Sequence, residues 1–216
     1  MDRHRLMALK RIRFAAHDAA PEAWRDAVVA ALDAPPGTRP DRITLGLTLT
    51  ELTPAAPHAG IGVELFTDAA HLARYEAWLG DDDGGGGPVV VAAERVMRGA
   101  EWLERRWREG GTRFEHVAVA VRREGLSRAE FAERWRTHAG SVGAVRIPDA
   151  ARGSAYVQNS PLPECEPVYD AVTEVWLEDL AALRTRTAWL DRATRENGPG
   201  DLFDRNWFLA VREEVL

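Results

Sequence analysis

Leu9, Arg11 and Arg13 alternate with Lys10, Ile12 and Phe14 along Ala8–Ala16, and that period of two predicts a strand. Pro21-Glu22-Ala23-Trp24 opens a helix with proline in its first turn. Its apolar stripe is Trp24, Ala27, Val28 and Ala31, and Pro35-Pro36-Gly37 breaks it. Ile43–Leu52, rich in β-branched residues, reads as a strand. After the turn Pro54–Gly60, Ile61–Phe66 is its hairpin partner. Asp68 caps a helix to Leu79, Asp81–Gly87 is an exposed loop, and Pro88–Met97 is a strand. A short helix, Ala100–Trp107, leads into Gly110-Gly111, the best candidate boundary.

The second half repeats this order. His116–Arg122 is a strand, and Ser127, with Glu130 three residues on, forms a capping box for a helix to about Ser141. Ser154–Gln158 and Ala171–Leu177 are strands joined by a proline-rich loop. Glu178–Thr194 is a helix, Asn197-Gly198-Pro199-Gly200 ends it, and Trp207–Val215 is the last strand. Both halves therefore read βαββαβ, the ferredoxin-like order. They also align residue by residue. Glu64 and Phe66 match Glu174 and Trp176 at an offset of 110, Trp78 matches Trp189 at 111, Trp24 matches Phe131 at 107, and Glu94 matches Glu213 at 119. The pattern predicts an α+β chain of two ferredoxin-like units, 1–110 and 111–216, duplicated in tandem and closing into an intramolecular pseudo-dimeric α+β barrel.

Composition narrows the class. A net charge of −6 across 216 residues argues against a general nucleic-acid binder. Almost all basic residues are arginine; Lys10 is the only lysine, which reads as coding bias and not as phosphate recognition. Cys165 is alone, so neither a disulfide framework nor a cysteine metal cluster is expected, and the scattered histidines lack metal-ligand spacing. The start of the chain has no apolar signal region and no run approaches a membrane span, so a cytoplasmic protein is expected. The chain carries neither a glycine-rich phosphate loop nor a Gly-x-Ser-x-Gly elbow.

Candidate chemistry concentrates in the second half. Phe131, Trp135 and His138 share one helix stripe, and His138 stands where the chain leaves the helix. Under the helix offset His138 falls against Ala31, so the first half lacks the same site and reads as its degenerate partner. Asp170, Val172, Glu174 and Trp176 alternate onto one face of a strand, and Tyr156 shares a face with Gln158. Each of these also has a plain structural reading. His138 can cap a helix C-terminus, Tyr156 and Trp176 can be core, Gln158, Asn159 and Asp170 can satisfy backbone, and Glu174 can share a structural role with Glu64.

Three pieces, Phe131-x-x-x-Trp135-x-x-His138-Ala139, Tyr156-Val157-Gln158-Asn159 and Tyr169-Asp170-Ala171-Val172-x-Glu174-Val175-Trp176, in this order and spacing, resemble an EthD-type domain of the dimeric α+β barrel group. The resemblance covers about residues 114–216. It departs at Gly140, where the family usually has proline, which loosens the loop after the helix. It implies chemistry on a small hydrophobic, aromatic or polyketide-like molecule, without nucleic acid or membrane, by a monomeric pseudo-dimer or a homodimer. On that reading the chain is a lyase, dehydratase or isomerase. His138, Tyr156 and Asp170 are the candidate catalytic groups, with His138 shuttling a proton. Trp135, Gln158, Asn159, Glu174, Trp176 and Trp207 are the candidate substrate contacts. No cofactor or metal is expected; haem ranks low because no second basic cluster suits its propionates. A cofactor-independent monooxygenase and a non-catalytic carrier of a hydrophobic metabolite stand as alternatives.

Overall fold

The computed structural model describes residues 8–80, 86–137, 141–142, 145–164, 166–197 and 200–216. The first half contains β1 (Leu9–Phe14), α1 (Pro21–Val29) with a 3-10 turn Ala30–Asp33, β2 (Arg42–Thr48), β3 (Gly60–Phe66), α2 (Ala69–Leu79) and β4 (Val89–Arg98). A connecting helix, α3 (Ala100–Glu109), follows. The second half contains β5 (Thr112–Arg122), α4 (Arg128–Thr137), a short pair β6 (Ser141–Val142) and β7 (Val145–Arg146), and α5 (Asp149–Arg152). It ends with β8 (Ala155–Pro161), β9 (Ala171–Leu177), α6 (Leu180–Asn197) and β10 (Phe203–Val215). Asp68 caps α2 by accepting from the His71 amide, and Ser127 and Glu130 form the expected capping box.

Eight antiparallel strands close into one barrel in the order β1-β3-β2-β10-β5-β9-β8-β4. Within it, β4-β1-β3-β2 and β10-β5-β9-β8 follow the same internal order. The seams are β2 on β10 (Thr44↔Val215 through Thr48↔Val211) and β4 on β8 (Glu94↔Asn159, Val96↔Val157). Gly46 stands at the first seam, where a methyl group would collide with Val211 and Ile61.

Closure divides each strand into an inner and an outer face. Ile12, Phe14, Val63, Val117, Val172 and Leu209 come from both halves and form one cluster, which identifies the inner face. The outer face of the first half meets α1 and α2 through Trp24, Val28, Leu72 and Tyr75. In the second half it meets α4 through Phe131 and Trp135, and α6 through Leu183. β1 is buried along its whole length, so its alternation separates two interiors and not core from solvent.

The register corrects one match read from the sequence. Ile12 pairs with Val63, while its counterpart Val117 pairs with Glu174. The structural partner of Glu174 is therefore Val63, not Glu64. A slip of one residue reverses the face. Glu64 points outward beneath the helices, where it accepts from Arg11 (2.9 Å), Arg13 (3.3 Å) and the Tyr75 hydroxyl (3.1 Å). Burial, followed by the Glu64 charge, pushes the Tyr75 phenol above its ordinary value.

Glu64 is fully buried and serves two buried guanidiniums, so Glu64→Ala should cost about 3–5 kcal/mol in urea unfolding. Glu214→Ala, which opens the half-exposed Arg25–Glu214 pair, should cost less than about 1 kcal/mol. Equal costs would contradict this picture of the outer layer.

Candidate functional site

The inner face changes character along the barrel axis. At the end where β1 finishes it is apolar and plugged. His58 contacts the Ala15 carbonyl (3.0 Å) and the Tyr169 hydroxyl (2.5 Å), and Phe14 and Trp207 pack on Tyr169. At the end covered by α3, the same inward positions become ionisable. Lys10 precedes Ile12, Glu94 follows Ala92, Arg113 and Glu115 precede Val117, Glu174 follows Val172, and Glu213 follows Val211. The alternation of each strand therefore delivers these side chains to one place.

Lys10 is the centre of this group. Its ammonium pairs with Glu174 and lies 2.8 Å from Glu94, so it joins the two halves across the interior. Burial alone would push the Lys10 pKa down, but Glu174 and Glu94 outweigh it and hold the group protonated above the usual lysine range. Asn159 donates to Glu174 (2.7 Å) and to the Val172 carbonyl (3.3 Å). Glu213 pairs with Arg113 (2.8 Å) and accepts from the Trp176 indole (2.9 Å). The Arg113 guanidinium stacks on Trp107 of α3 at 4.1 Å, and Arg42 approaches the same ring at 4.9 Å.

Glu115 sits among these groups without a hydrogen-bond partner on either oxygen. It is fully buried. Burial first, then the Glu213 and Glu174 charges, push its pKa well above the ordinary carboxylate range; Lys10 and Arg113 oppose this only in part. The barrel mouth thus places a carboxyl group pushed toward its neutral form beside the two glutamates that contact Lys10. A cleft of about 850 Å³ opens onto this cluster and is lined in part by Lys10, Glu94, Leu103, Trp107, Glu174 and Trp176. Glu94 is the accessible carboxylate of the pair on Lys10, with 21% of its side chain exposed against 1% for Glu174.

The residues singled out in the sequence separate into groups. Asn159, Glu174 and Trp176 meet in the barrel mouth, while Trp207 lies inside at the opposite end. Tyr156, Gln158 and Trp135 lie on the outer face of the second half, where Gln158 donates to the Tyr156 hydroxyl (2.9 Å) and the Trp135 carbonyl (3.1 Å). Asp170 pins a strand end: it pairs with the Arg122 side chain and accepts from the Arg122 amide (3.0 Å). His138 and Cys165 lie outside the described residues.

Lys10, Glu115, Arg113 and Glu213 were not among the sequence candidates. β5 begins at Thr112, four residues before the predicted strand, and those extra residues carry Arg113 and Glu115. The available signal was Lys10, one lysine in a chain otherwise built with arginine.

Haem iron takes an axial ligand such as imidazole. His58 and His71 have both ring nitrogens engaged, His116 is buried against Phe208, and none of the three lines the cleft. Among the described residues no group of three His, Cys, Asp or Glu is placed to hold a metal ion, and the described residues of the cleft do not fit haem. No described helix is long and apolar enough to cross a membrane.

No family model and no curated protein matches this sequence. Among solved structures, a "putative monooxygenase" from Lactobacillus acidophilus NCFM is similar at 10% identity and a TM-score of 0.45, covering 97% of this chain and 99% of the other. Chlorite dismutase from Candidatus Nitrospira defluvii, in complex with imidazole, is similar at 12% identity and a TM-score of 0.47, covering 97% and 92%. At these identities and scores neither likeness transfers a function to this chain.

The raised Glu115 pKa fixes the sign of a pH effect. The folded state holds this proton more tightly than the unfolded state, so its contribution is complete below the unfolded pKa and is lost as pH rises toward the folded one. Wild type should lose up to about 1.4 kcal/mol per pH unit from this group within that window, starting near about pH 5. Glu115→Gln, which keeps the shape without the proton, should remove that part of the slope in denaturant unfolding measured across pH. Parallel curves would mean that Glu115 is ionised in the fold.

Proposed function

We propose that this chain is a small-molecule enzyme of the proton-transfer kind, an isomerase, lyase or dehydratase, working at the barrel mouth beneath α3. The observation that carries this reading is Glu115, a fully buried acid with neither oxygen partnered, next to the lysine-bound carboxylates that line a cleft. A carboxyl group held toward its neutral form can give a proton, and a carboxylate open to the cleft can take one. Glu115 is the acid. Glu94, the accessible carboxylate, is the base. An ammonium has three N–H donors; Glu174 and Glu94 take two, which leaves one for an oxygen that gains charge as a proton is removed from the neighbouring carbon. Trp107, Trp176 and Leu103 suit a hydrophobic or aromatic substrate.

A second reading keeps the chemistry on the outer face of the second half, with His138 as proton shuttle as in the EthD resemblance. It is favoured by Gln158, which ties Tyr156 to the last turn of α4, three residues before His138. On either reading the partner is a small hydrophobic molecule and not nucleic acid or a membrane, and no cofactor is required.

We propose further that residues 1–110 and 111–216 are two duplicated ferredoxin-like units. Their common strand order supports it, as do the register counterparts Ile12/Val117, Val63/Glu174 and Glu94/Glu213. Every barrel strand is paired on both sides, so the chain needs no second copy to close its sheet. A cytoplasmic monomer is the form we propose.

The test is analysis of small molecules that co-purify with wild type, Glu115→Gln and His138→Ala, each incubated in heavy water. A molecule retained by all three, which gains deuterium with wild type and at least about 100-fold more slowly with Glu115→Gln, supports the barrel site. Loss confined to His138→Ala moves the chemistry to the outer face. Equal retention with no exchange in any of them leaves a carrier.

A further inference from the structure

The buried lysine and arginines of the described fold follow one rule, with one exception. Lys10, Arg11, Arg13 and Arg113 each meet a glutamate. Arg186 is buried to the same degree, yet no carboxylate of the described residues lies within ion-pair distance of it. It occupies the apolar stripe of α6, between Leu183 and Leu190, and so points at the sheet. An uncompensated buried charge costs several kcal/mol, which makes the exception informative.

Arg186 does not stand alone. It donates to the Ala151 carbonyl (2.5 Å) at the end of α5. Arg98, the last residue of β4, donates to the next two carbonyls, Arg152 (2.5 Å) and Gly153 (3.1 Å). Two guanidiniums therefore converge on three consecutive carbonyls, and Arg98 also lacks a carboxylate among the described residues. The charges act on each other: burial, then the proximity of Arg98, lowers the Arg186 pKa to about 10. Donors remain unspent. The buried Arg186 Nε has no acceptor, and neither ring nitrogen of His116, on the same face, has a partner. The Tyr156 hydroxyl accepts from Gln158, which leaves its own hydrogen to give. Such a cluster is rich in side-chain donors, with a buried side (Arg186) and a half-exposed side (Arg98).

We propose that Arg98, Arg186 and Tyr156 form a binding site for a small oxyanion, the carboxylate or phosphoryl group of a metabolite, on the outer face of the second half beside α5 and α6. Two guanidiniums match the oxygens of such a group, and the tyrosine supplies a third donor. This site is separate from the barrel mouth and does not depend on the chemistry proposed there.

The full chain would be titrated with inorganic phosphate and, separately, with benzoate, at ionic strength held constant with chloride, by calorimetry and by thermal unfolding. Saturable binding of phosphate alone identifies a phosphoryl group; binding of benzoate alone, or of both, identifies a carboxylate-tolerant site. Arg98→Gln and Arg186→Met should each weaken Kd about tenfold or more, and Tyr156→Phe about threefold. Glu115→Gln should leave Kd at the wild-type value, which separates this site from the barrel mouth. If Arg186→Met does not fold, Arg98→Gln, at a half-exposed position, decides. Absence of a saturable response to either anion, or a wild-type Kd in Arg98→Gln, overturns the proposal and reduces the two arginines to caps on α5.

Discussion

Closing eight strands on themselves leaves an inward side chain only the two ends of the barrel as a route to water. Any charge placed there must find its partner inside. One end of this barrel meets that constraint with apolar side chains and the His58–Tyr169 plug. The other end meets it with ion pairs, of which the Lys10–Glu174 contact matters most because it joins the two halves through the interior. Glu94 and Asn159 complete that pair, and Arg113 and Glu213 form a second one nearby. The inward acids, Glu94, Glu115, Glu174 and Glu213, outnumber the inward bases, Lys10, Arg113 and Arg42, and Arg42 is already paired with Glu104 of α3. The surplus pushes Glu115 toward its protonated form, and a structural constraint thereby favours a group able to donate a proton.

The two halves share a strand order but not an interior. At matched register, Lys10 stands opposite Glu115, Val63 opposite Glu174, and Gly46 opposite Asn159. The second half supplies most of the polar side chains and the first half supplies the lysine. α3, the link between the halves, covers the mouth they form and contributes Leu103 and Trp107 to the cleft. Gly99 makes that close cover geometrically possible: its φ of +79° starts the helix, and a side chain there would collide with Ser154. The outer faces are packed independently, so the Glu64 network under α1 and α2 and the arginine pair beside α6 belong to layers that the barrel interior does not touch.

Much of this was legible in the chain. Period-two alternation marks β1 and separates the faces of β9, β3 reads as the hairpin partner of the strand before it, and proline and glycine breaks bound the helices. What failed did so for physical reasons. The match of Glu64 to Glu174 rested on residue identity, and an offset of 110 in place of 111 is enough to put the two acids on opposite faces. The start of β5 is hidden because three of the four residues Thr112–Glu115 are polar, and polar residues signal a strand only when something inside the fold receives them. β6, β7 and α5 are too short to show a period. Tyr156, Gln158 and Trp135 meet on the outer face, whereas Asp170 and Trp207 are held elsewhere, by Arg122 and Tyr169. Spacing shows which residues share a face but not which face becomes the interior. The sole lysine was the one mark of the interior visible in the sequence.

The central claim is that Glu115 carries a proton at neutral pH inside the barrel. Difference infrared spectroscopy of wild type against Glu115→Gln, in heavy water at pH 7, tests it directly. The account predicts a protonated carboxylic C=O band in wild type that is missing from the variant and disappears only as the pH is raised well above the usual carboxylate range. A difference spectrum at pH 7 containing carboxylate bands alone would contradict it, and would remove the acid from the proposed acid–base pair.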